Sequence, residues 1–208
     1  MGRTVSADLS PQQEMALETL ARVLEPGAYY LAGGVAVALR LHHRRSVDLD
    51  LFTGTSDPPA LAEALKEASV IITATAPGTL HLEVEGVPAS LLRYPYPLLA
   101  APELVPGIPM PIASLDDLQC MKVSAIAGRG ARRDFWDLHA LLAARGRTLE
   151  QALGAYRRKF AAEDIGHVVR SLVYFDDAEA EPMPAGLAKT HWARIKKDLR
   201  AWVGSLDG

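Results

Sequence analysis

Along the first part of the chain, short stretches of alternating or continuous apolar residues are interleaved with helix-like runs; beyond a proline-rich connector the pattern is helical throughout. Ser10-Pro11-Gln12-Gln13 sets a capping residue before a proline, which predicts a helix from about Pro11 to Leu24 that Pro26-Gly27 stops. Tyr29 onward reads as a short apolar strand ending at Gly33-Gly34, followed by an Ala/Val/Leu run of helical length up to His42. Ser46 to Phe52 alternates polar and apolar as a half-buried strand does, which puts Asp48 and Asp50 on one face and Leu49 and Leu51 on the other. A turn-rich loop closes it. Ala60 to Ala68 has helix-forming composition, and Val70 to Thr75, Thr79 to Glu85 and Val87 to Arg93 read as three more strands. Helices packed against a mixed sheet are the expected result.

Tyr94-Pro95-Tyr96-Pro97 and the prolines at 102, 106, 109 and 111 form an extended connector that cannot be helix interior. The domain boundary is placed there, giving an α+β domain over 1–112 and an all-helical domain over 113–208. Ser114-Leu115-Asp116-Asp117 resembles a capping box and opens a helix to about Ala127. On a helical wheel with Leu118 at zero, Lys122 falls at about 40°, inside the stripe formed by Leu115, Leu118, Met121, Ala125 and Ile126. Cys120 projects about 160° from the centre of that stripe. The next helix, about Arg132 to Ala144, carries Asp134 among its apolar positions and Asp137 at their edge. Such charges need partners. Lys122 facing Asp134 is one solution, and both facing a substrate cleft is another. Further helices follow Gly146, one with Tyr156-Arg157-Arg158-Lys159 and one through Val168 to Phe175. An acidic loop over 176–182 and a last helix with Trp192, Ile195, Leu199 and Trp202 on one side complete the chain.

Composition adds limits. The chain of 208 residues is 49% hydrophobic and 23% charged, as soluble globular proteins are. A formal net charge of −3 provides no global field for nucleic acid, so an RNA-binding surface must be a local basic patch, for which the last helix is the best candidate. A single cysteine and no signal peptide fit a reducing cytoplasm. The longest apolar run is too short to span a bilayer. The opening Met-Gly-Arg-Thr-Val-Ser fits a myristoylation pattern only formally, with no second membrane signal beside it.

The chemistry concentrates between Tyr29 and Phe52. Paired glycines at a strand-to-helix junction admit another group close to the backbone, and the helix N-terminus behind them favours an anion such as phosphate. Residues two apart on a strand lie about 6–7 Å apart, close enough for two carboxylates to share a cation. Hard oxygen donors beside a phosphate site imply Mg²⁺. Gly-Gly, thirteen residues, then Asp-Leu-Asp resembles the signature of polymerase-β-like nucleotidyltransferases. Leu-Ala-Gly-Gly, Arg-Arg-Ser-Val-Asp-Leu-Asp-Leu-Phe and Arg-Arg-Asp-Phe-Trp-Asp-Leu resemble more closely the AbiEii/AbiGii-type nucleotidyltransferases, toxins of abortive-infection toxin–antitoxin pairs.

That resemblance implies transfer of a nucleoside monophosphate from an NTP to an acceptor hydroxyl, with the 3′ end of a tRNA as one acceptor and a small antitoxin protein as regulator. It implies Asp48 and Asp50 as Mg²⁺ ligands, and Gly33, Gly34 and Ser46 around the outgoing phosphates. Lys122 and Asp134 enter as active-site residues on the helical side; Arg129, apart from the resemblance, is a candidate contact for triphosphate or RNA by its charge. In that fold a third metal-directed acid sits on a later strand. Its place here is near Ser90, where no acid stands, and Glu83 or Glu85 on the neighbouring strand is the available substitute. A small-molecule or protein acceptor, or a degenerate member that binds without turnover, are the rival readings. Gly128-Arg129-Gly130 is not a dinucleotide fingerprint, since no strand precedes it and the third glycine is missing. His42 and His43, adjacent on a helix end, read as surface residues, and Cys120 has no base beside it to activate a thiolate.

Overall fold

A computed structural model of the chain describes residues 9–206, so the opening hexapeptide lies outside the described residues. The chain divides into two compact units, Met1–Ser114 and Leu115–Gly208. The first is α+β and the second all-helical, the class expected from the pattern. Among the described residues no helix is long and apolar enough to cross a membrane.

In the first unit, helix α1 (Pro11–Val23) opens on a complete capping box: the Ser10 side chain accepts from the Gln13 amide, and Gln13 Oε1 accepts from the Ser10 amide. Gln13 does a second job. Its Nε2 donates to the carbonyls of Ser46 and Val47, each at 2.9 Å, and so ties the start of α1 to the segment that leads into the acidic strand. Strand β1 (Tyr30–Ala32) runs straight into helix α2 (Gly33–Leu41), and β2 (Leu49–Thr53) follows. A 3₁₀ turn at Pro58–Leu61 and helix α3 (Ala62–Glu67) lead to β3 (Ile71–Ala76), β4 (Thr79–Val84) and β5 (Val87–Arg93). The sheet order is β1-β2-β5-β4-β3, with β2 and β5 parallel and every other pair antiparallel. Leu49, Leu51, Leu80, Leu82, Ala89 and Leu91 are buried on one face, as strict alternation requires. The connector after β5 returns to the sheet edge, where the Leu31 amide donates to Pro111 and the Ala113 amide to Leu31.

The second unit comprises α4 (Leu115–Arg129), α5 (Arg132–Arg145), α6 (Leu149–Phe160), α7 (Gly166–Ser171), α8 (Asp176–Ala180) and α9 (Lys189–Gly204). Helix α4 is its axis and packs against α5, α6 and α7. It is therefore buried on more than one side: Asp117, Gln119, Cys120, Lys122 and Val123 are all inside. The expectation of a single apolar stripe with Cys120 facing away is corrected. A helix enclosed by neighbours has no solvent side for the wheel to find, and charge rather than apolarity fills part of its surroundings. Burial pushes the Cys120 thiol up to about 12, so the inert role expected for it holds for a different reason.

One further charge is enclosed and one further expectation changes. Lys159, last of the Tyr156-Arg157-Arg158-Lys159 run, is fully buried with its ammonium 2.7 Å from Asp117 Oδ1, itself fully buried. The acidic loop is partly the short helix α8, and its Glu179 is occupied by the protein's own donors: Lys196, Trp192 Nε1 at 2.9 Å and Arg132 at 3.3 Å. Phe135 and Phe175 each meet Trp192 edge to face beside it and tilt against one another. Asp117 and Lys159 should behave as one unit energetically. Lys159→Ala is expected to lower unfolding free energy by about 3–5 kcal/mol in urea denaturation, because the buried Asp117 carboxylate loses its ammonium. The double change Asp117→Leu, Lys159→Met is expected to recover most of that loss.

Candidate active site

The site begins with a backbone demand. Where β1 becomes α2 the chain reverses its conformation within one residue, and Gly33 takes φ +69°, a region that side chains with a Cβ avoid. The preceding residue, Ala32, is the antiparallel partner of Asp50 in β2. That register brings the Asp50 carboxylate against the Gly33 α-carbon: a Cβ built there would collide with Asp50 Oδ2 and lie 3.0 Å from its Cβ and Cγ. Gly34 is closed off in the same way by other groups, since a Cβ there would come within 2.6 Å of Ser46 Oγ and 2.7 Å of Arg44 Nη2. The paired glycines thus meet a carboxylate on one side and a hydroxyl with a guanidinium on the other. Helix α2 has no side-chain cap hydrogen bond at Ala32, so its first amides are left to other acceptors.

Asp48 stands one residue before β2 and is exposed, whereas Asp50 is half-buried within it. Leu49, Leu51 and Thr53 are fully buried, so the alternation holds from Leu49 onward and assigns Asp50 and Phe52 to the opposite face, whereas the strand expected from Ser46 starts three residues later and Val47 is exposed. In the parallel pairing of β2 with β5, Asp50 lies directly across from Ser90, and Ser90 across from His81 on β4. His81 Nδ1 is 3.0 Å from Ser90 Oγ. The row across three strands is therefore carboxylate, hydroxyl, imidazole. Glu83 lies farther along β4, opposite Pro88, and Glu85 is not on the strand face at all. With Gly86 it makes the hairpin turn, both residues at positive φ as a two-residue type I′ turn requires.

Metal fit follows from the donors present. Among the described residues no cluster of three or more His, Cys, Asp or Glu could enclose an ion. Asp48 and Asp50 supply oxygen donors from one short segment, and the Gly33 cradle leaves the Asp50 carboxylate its space. That set fits Mg²⁺, which keeps several waters and takes few protein carboxylates when substrate phosphates supply the rest.

In the helical unit, Lys122 Nζ sits 2.9 Å from Asp134 Oδ1 and 2.7 Å from Asp137 Oδ2, with both carboxylates fully buried. The ion-pair solution to the buried charges is what the structure contains, and it includes Asp137. Arg129 adds two hydrogen bonds to Asp134, from Nε at 2.7 Å and Nη2 at 3.0 Å. Burial pushes the Asp134 carboxyl up, but the Lys122 charge and the Arg129 hydrogen bonds outweigh it and hold the group below the usual carboxylate value. Arg132, the first residue of α5, is buried over the Trp192 ring at 5.3 Å and hydrogen-bonds Glu179.

Sequence reasoning did not single out Arg44 or His81, and it noted Asp137 as a charge needing a partner without assigning it one. Arg44 was legible only as one of a His-His-Arg-Arg run, His81 lies nine residues from the serine it pairs with, and Asp137 was placed at the edge of a stripe.

The comparisons with known proteins agree with one another. The model of the family described as Nucleotidyl transferase AbiEii toxin, Type IV TA system, matches residues 16–83 and 69–203. Uncharacterized protein aq_aa25 of Aquifex aeolicus is 35% identical over 177 residues, covering 83% of this chain and 86% of that protein. Two solved structures share the fold. MenT4, the nucleotidyltransferase toxin Rv2826c of Mycobacterium tuberculosis, matches with a TM-score of 0.55 at 19% identity, covering 92% of this chain and 85% of that one. JHP933 from Helicobacter pylori matches with 0.51 at 18% identity, covering 94% of each.

The glycine cradle makes a sharp test. Gly33→Ala strains the backbone and displaces the Asp50 carboxylate, and a displacement of about 1 Å at a reacting centre costs on the order of a hundredfold in rate. Nucleotidyl transfer by this variant is expected to fall by about that factor with its circular dichroism unchanged. Asp134 makes a pH test. With its folded pKa below the unfolded value of about 3.9, it stabilises the fold at neutral pH, and that contribution disappears as pH falls through the depressed value. Asp134→Asn is expected to flatten the decline of Tm between about pH 5 and pH 2 relative to the parent.

Proposed function

The chain belongs to the family of AbiEii nucleotidyl transferase toxins of type IV toxin–antitoxin systems and is a transferase of nucleotidyl groups, and on that footing we propose that it moves a nucleoside monophosphate from an NTP to an acceptor hydroxyl with Mg²⁺ as cofactor. The observation that carries the reading is the packing of the Gly33 backbone on the Asp50 carboxylate, which sets the start of helix α2 beside the acid proposed to hold the cation. The proposed acceptor is the 3′ end of a tRNA, the proposed regulator a cognate antitoxin protein, and the proposed compartment the cytoplasm.

Asp48 and Asp50 would hold the cation, which when bound would polarise the α-phosphoryl group and lower the pKa of the attacking hydroxyl. The acceptor oxygen forms a bond to the α-phosphorus and gives up its proton to solvent as the bond to the bridging β-phosphate oxygen breaks, and pyrophosphate leaves. Gly33, Gly34 and the first amides of α2 lie against the phosphates, and Ser46 donates its hydroxyl to them. Arg44, beside Ser46 at Gly34, offsets their negative charge. Lys122 and Asp134 enter by family resemblance, Lys122 to balance phosphoryl charge, and Arg129 is a further candidate contact for triphosphate or RNA. Asp134 is a positioning residue rather than a base: both of its oxygens are engaged by Lys122 and Arg129, and its carboxyl is held low, so it is a poor proton acceptor at neutral pH.

One observation favours a second reading. Ser90 stands across from Asp50 where an acid would complete a three-carboxylate set, and a member lacking that acid could bind nucleotide without turnover. The two readings separate on incubation of the purified protein with Mg²⁺, each α-labelled NTP in turn and total cell RNA. Label is expected in RNA, falling on the order of a hundredfold in the Asp50→Ala variant. Label confined to protein or small molecules reassigns the acceptor. Nucleotide binding with no label in any fraction replaces the first reading by the second.

A further inference from the structure

Beside the acidic strand the first unit carries a ladder of aromatic rings. It starts inside the sheet at Tyr30, 5% exposed, whose ring stacks on Phe52 with centroids 6.1 Å apart and planes 23° apart. Phe52 meets Tyr94 edge to face at 5.5 Å, and Tyr94 meets Tyr96 at 4.9 Å. Tyr96, at the end of the ladder, is 46% exposed. Phe52 is two residues beyond Asp50 on β2, on the same face of the sheet, because Leu49, Leu51 and Thr53 take the other. The ladder therefore leads outward from the carboxylate that the Gly33 bend cradles.

We propose that Tyr96 is a stacking platform for a nucleobase, that of the NTP or of the terminal nucleotide of an RNA acceptor. The proposal rests on the nucleotidyl-transfer reading of the neighbouring site and adds to it the group that receives the base. Three features fit a base. The segment is preorganised: prolines at 95 and 97 fix their own φ and restrict Tyr94 and Tyr96 to extended conformations, so little freedom is lost when a planar ligand settles on the exposed ring. The ring is also braced from behind, since Tyr94, Phe52 and Tyr30 carry the contact back into the sheet. Finally, the surrounding chain does not repel a polyanion. From Tyr94 to Pro111 the sole charged residue is Glu103, and its carboxylate is 2.8 Å from Arg40. Stacking of this kind accepts any base, so the platform orients a nucleotide without selecting which one.

The test uses 2-aminopurine, whose fluorescence is quenched when it stacks on an aromatic ring. One arm adds 2-aminopurine riboside triphosphate with Mg²⁺, the other a short single-stranded RNA with 2-aminopurine at its 3′ end. Quenching is expected in at least one arm for the parent and for Tyr96→Phe, with Kd about tenfold weaker and quenching lost in Tyr96→Ala. The arm that responds tells whether the NTP or the acceptor supplies the base. Absence of quenching in both arms, or quenching that Tyr96→Ala leaves intact, overturns the proposal. Tyr96-dependent quenching in a protein that transfers no label supports the platform while removing the catalytic reading. Transfer whose KM for both substrates is unchanged by Tyr96→Ala does the reverse.

Discussion

The close packing of the Asp50 carboxylate on the Gly33 α-carbon is the contact on which the first unit's geometry depends. It needs a residue without a Cβ, and that residue must also accept positive φ, because strand β1 turns directly into helix α2 there. Both demands are met by glycine alone among the usual residues. The antiparallel pairing of β1 with β2 then decides which side chain fills the space: Ala32 pairs with Asp50, and a slip of one residue would offer Leu49 or Leu51 instead. Gln13, holding the Ser46 and Val47 carbonyls from α1, fixes the approach to β2 from the other end. A bend, a register and a capping helix thus converge on one acid.

The helical unit answers a different constraint, the burial of charge. Helix α4 inserts Asp117 and Lys122 among its neighbours, and each is neutralised by a side chain from a different helix: Lys159 on α6 for the first, Asp134 and Asp137 on α5 for the second. Isolated charges there would be prohibitive, whereas matched ones are tolerated and admit few other helix arrangements, since any rotation of α4 separates both sets at once. The Lys122 cluster is more than an ion pair. With Arg129 it is two cations on two carboxylates, and Arg129 reaches it from the exposed end of α4. Lys122 and both carboxylates are buried, and Arg129 is the exposed member of the cluster.

Sequence alone revealed the first unit well and the second poorly, for reasons visible in particular residues. The alternation of Leu49, Asp50, Leu51 and Phe52 was readable because β2 has one buried face, so period two maps onto burial. Gly33-Gly34 was readable because its demand is local. Cys120 was misread because helical periodicity reports burial only for a helix with one wet side, and α4 is packed from several directions. Glu85 was misread by a single residue at the end of β4, where the Glu85-Gly86 turn takes it out of the sheet. The pairing of His81 with Ser90 depends on strand register, which no short window of sequence carries.

The row Asp50, Ser90, His81 changes the electrostatic balance of the proposed site. With two acids rather than three, the protein contributes no more negative charge than one divalent cation neutralises, so a bound triphosphate meets less repulsion from the sheet. The same row removes a carboxylate that could take the acceptor's proton. What remains to manage phosphate charge within the first unit is Arg44 beside Gly34, Ser46 and the amides at the start of α2. All three lie on the glycine side of Asp50, opposite the strand that bears Ser90. The site is therefore polarised across β2, anion-binding groups toward β1 and α2 and a neutral hydroxyl–imidazole pair toward β5 and β4. A nucleotide lying along that gradient directs its phosphates at the glycine bend, which leaves its base to the uncharged aromatic face that begins at Phe52.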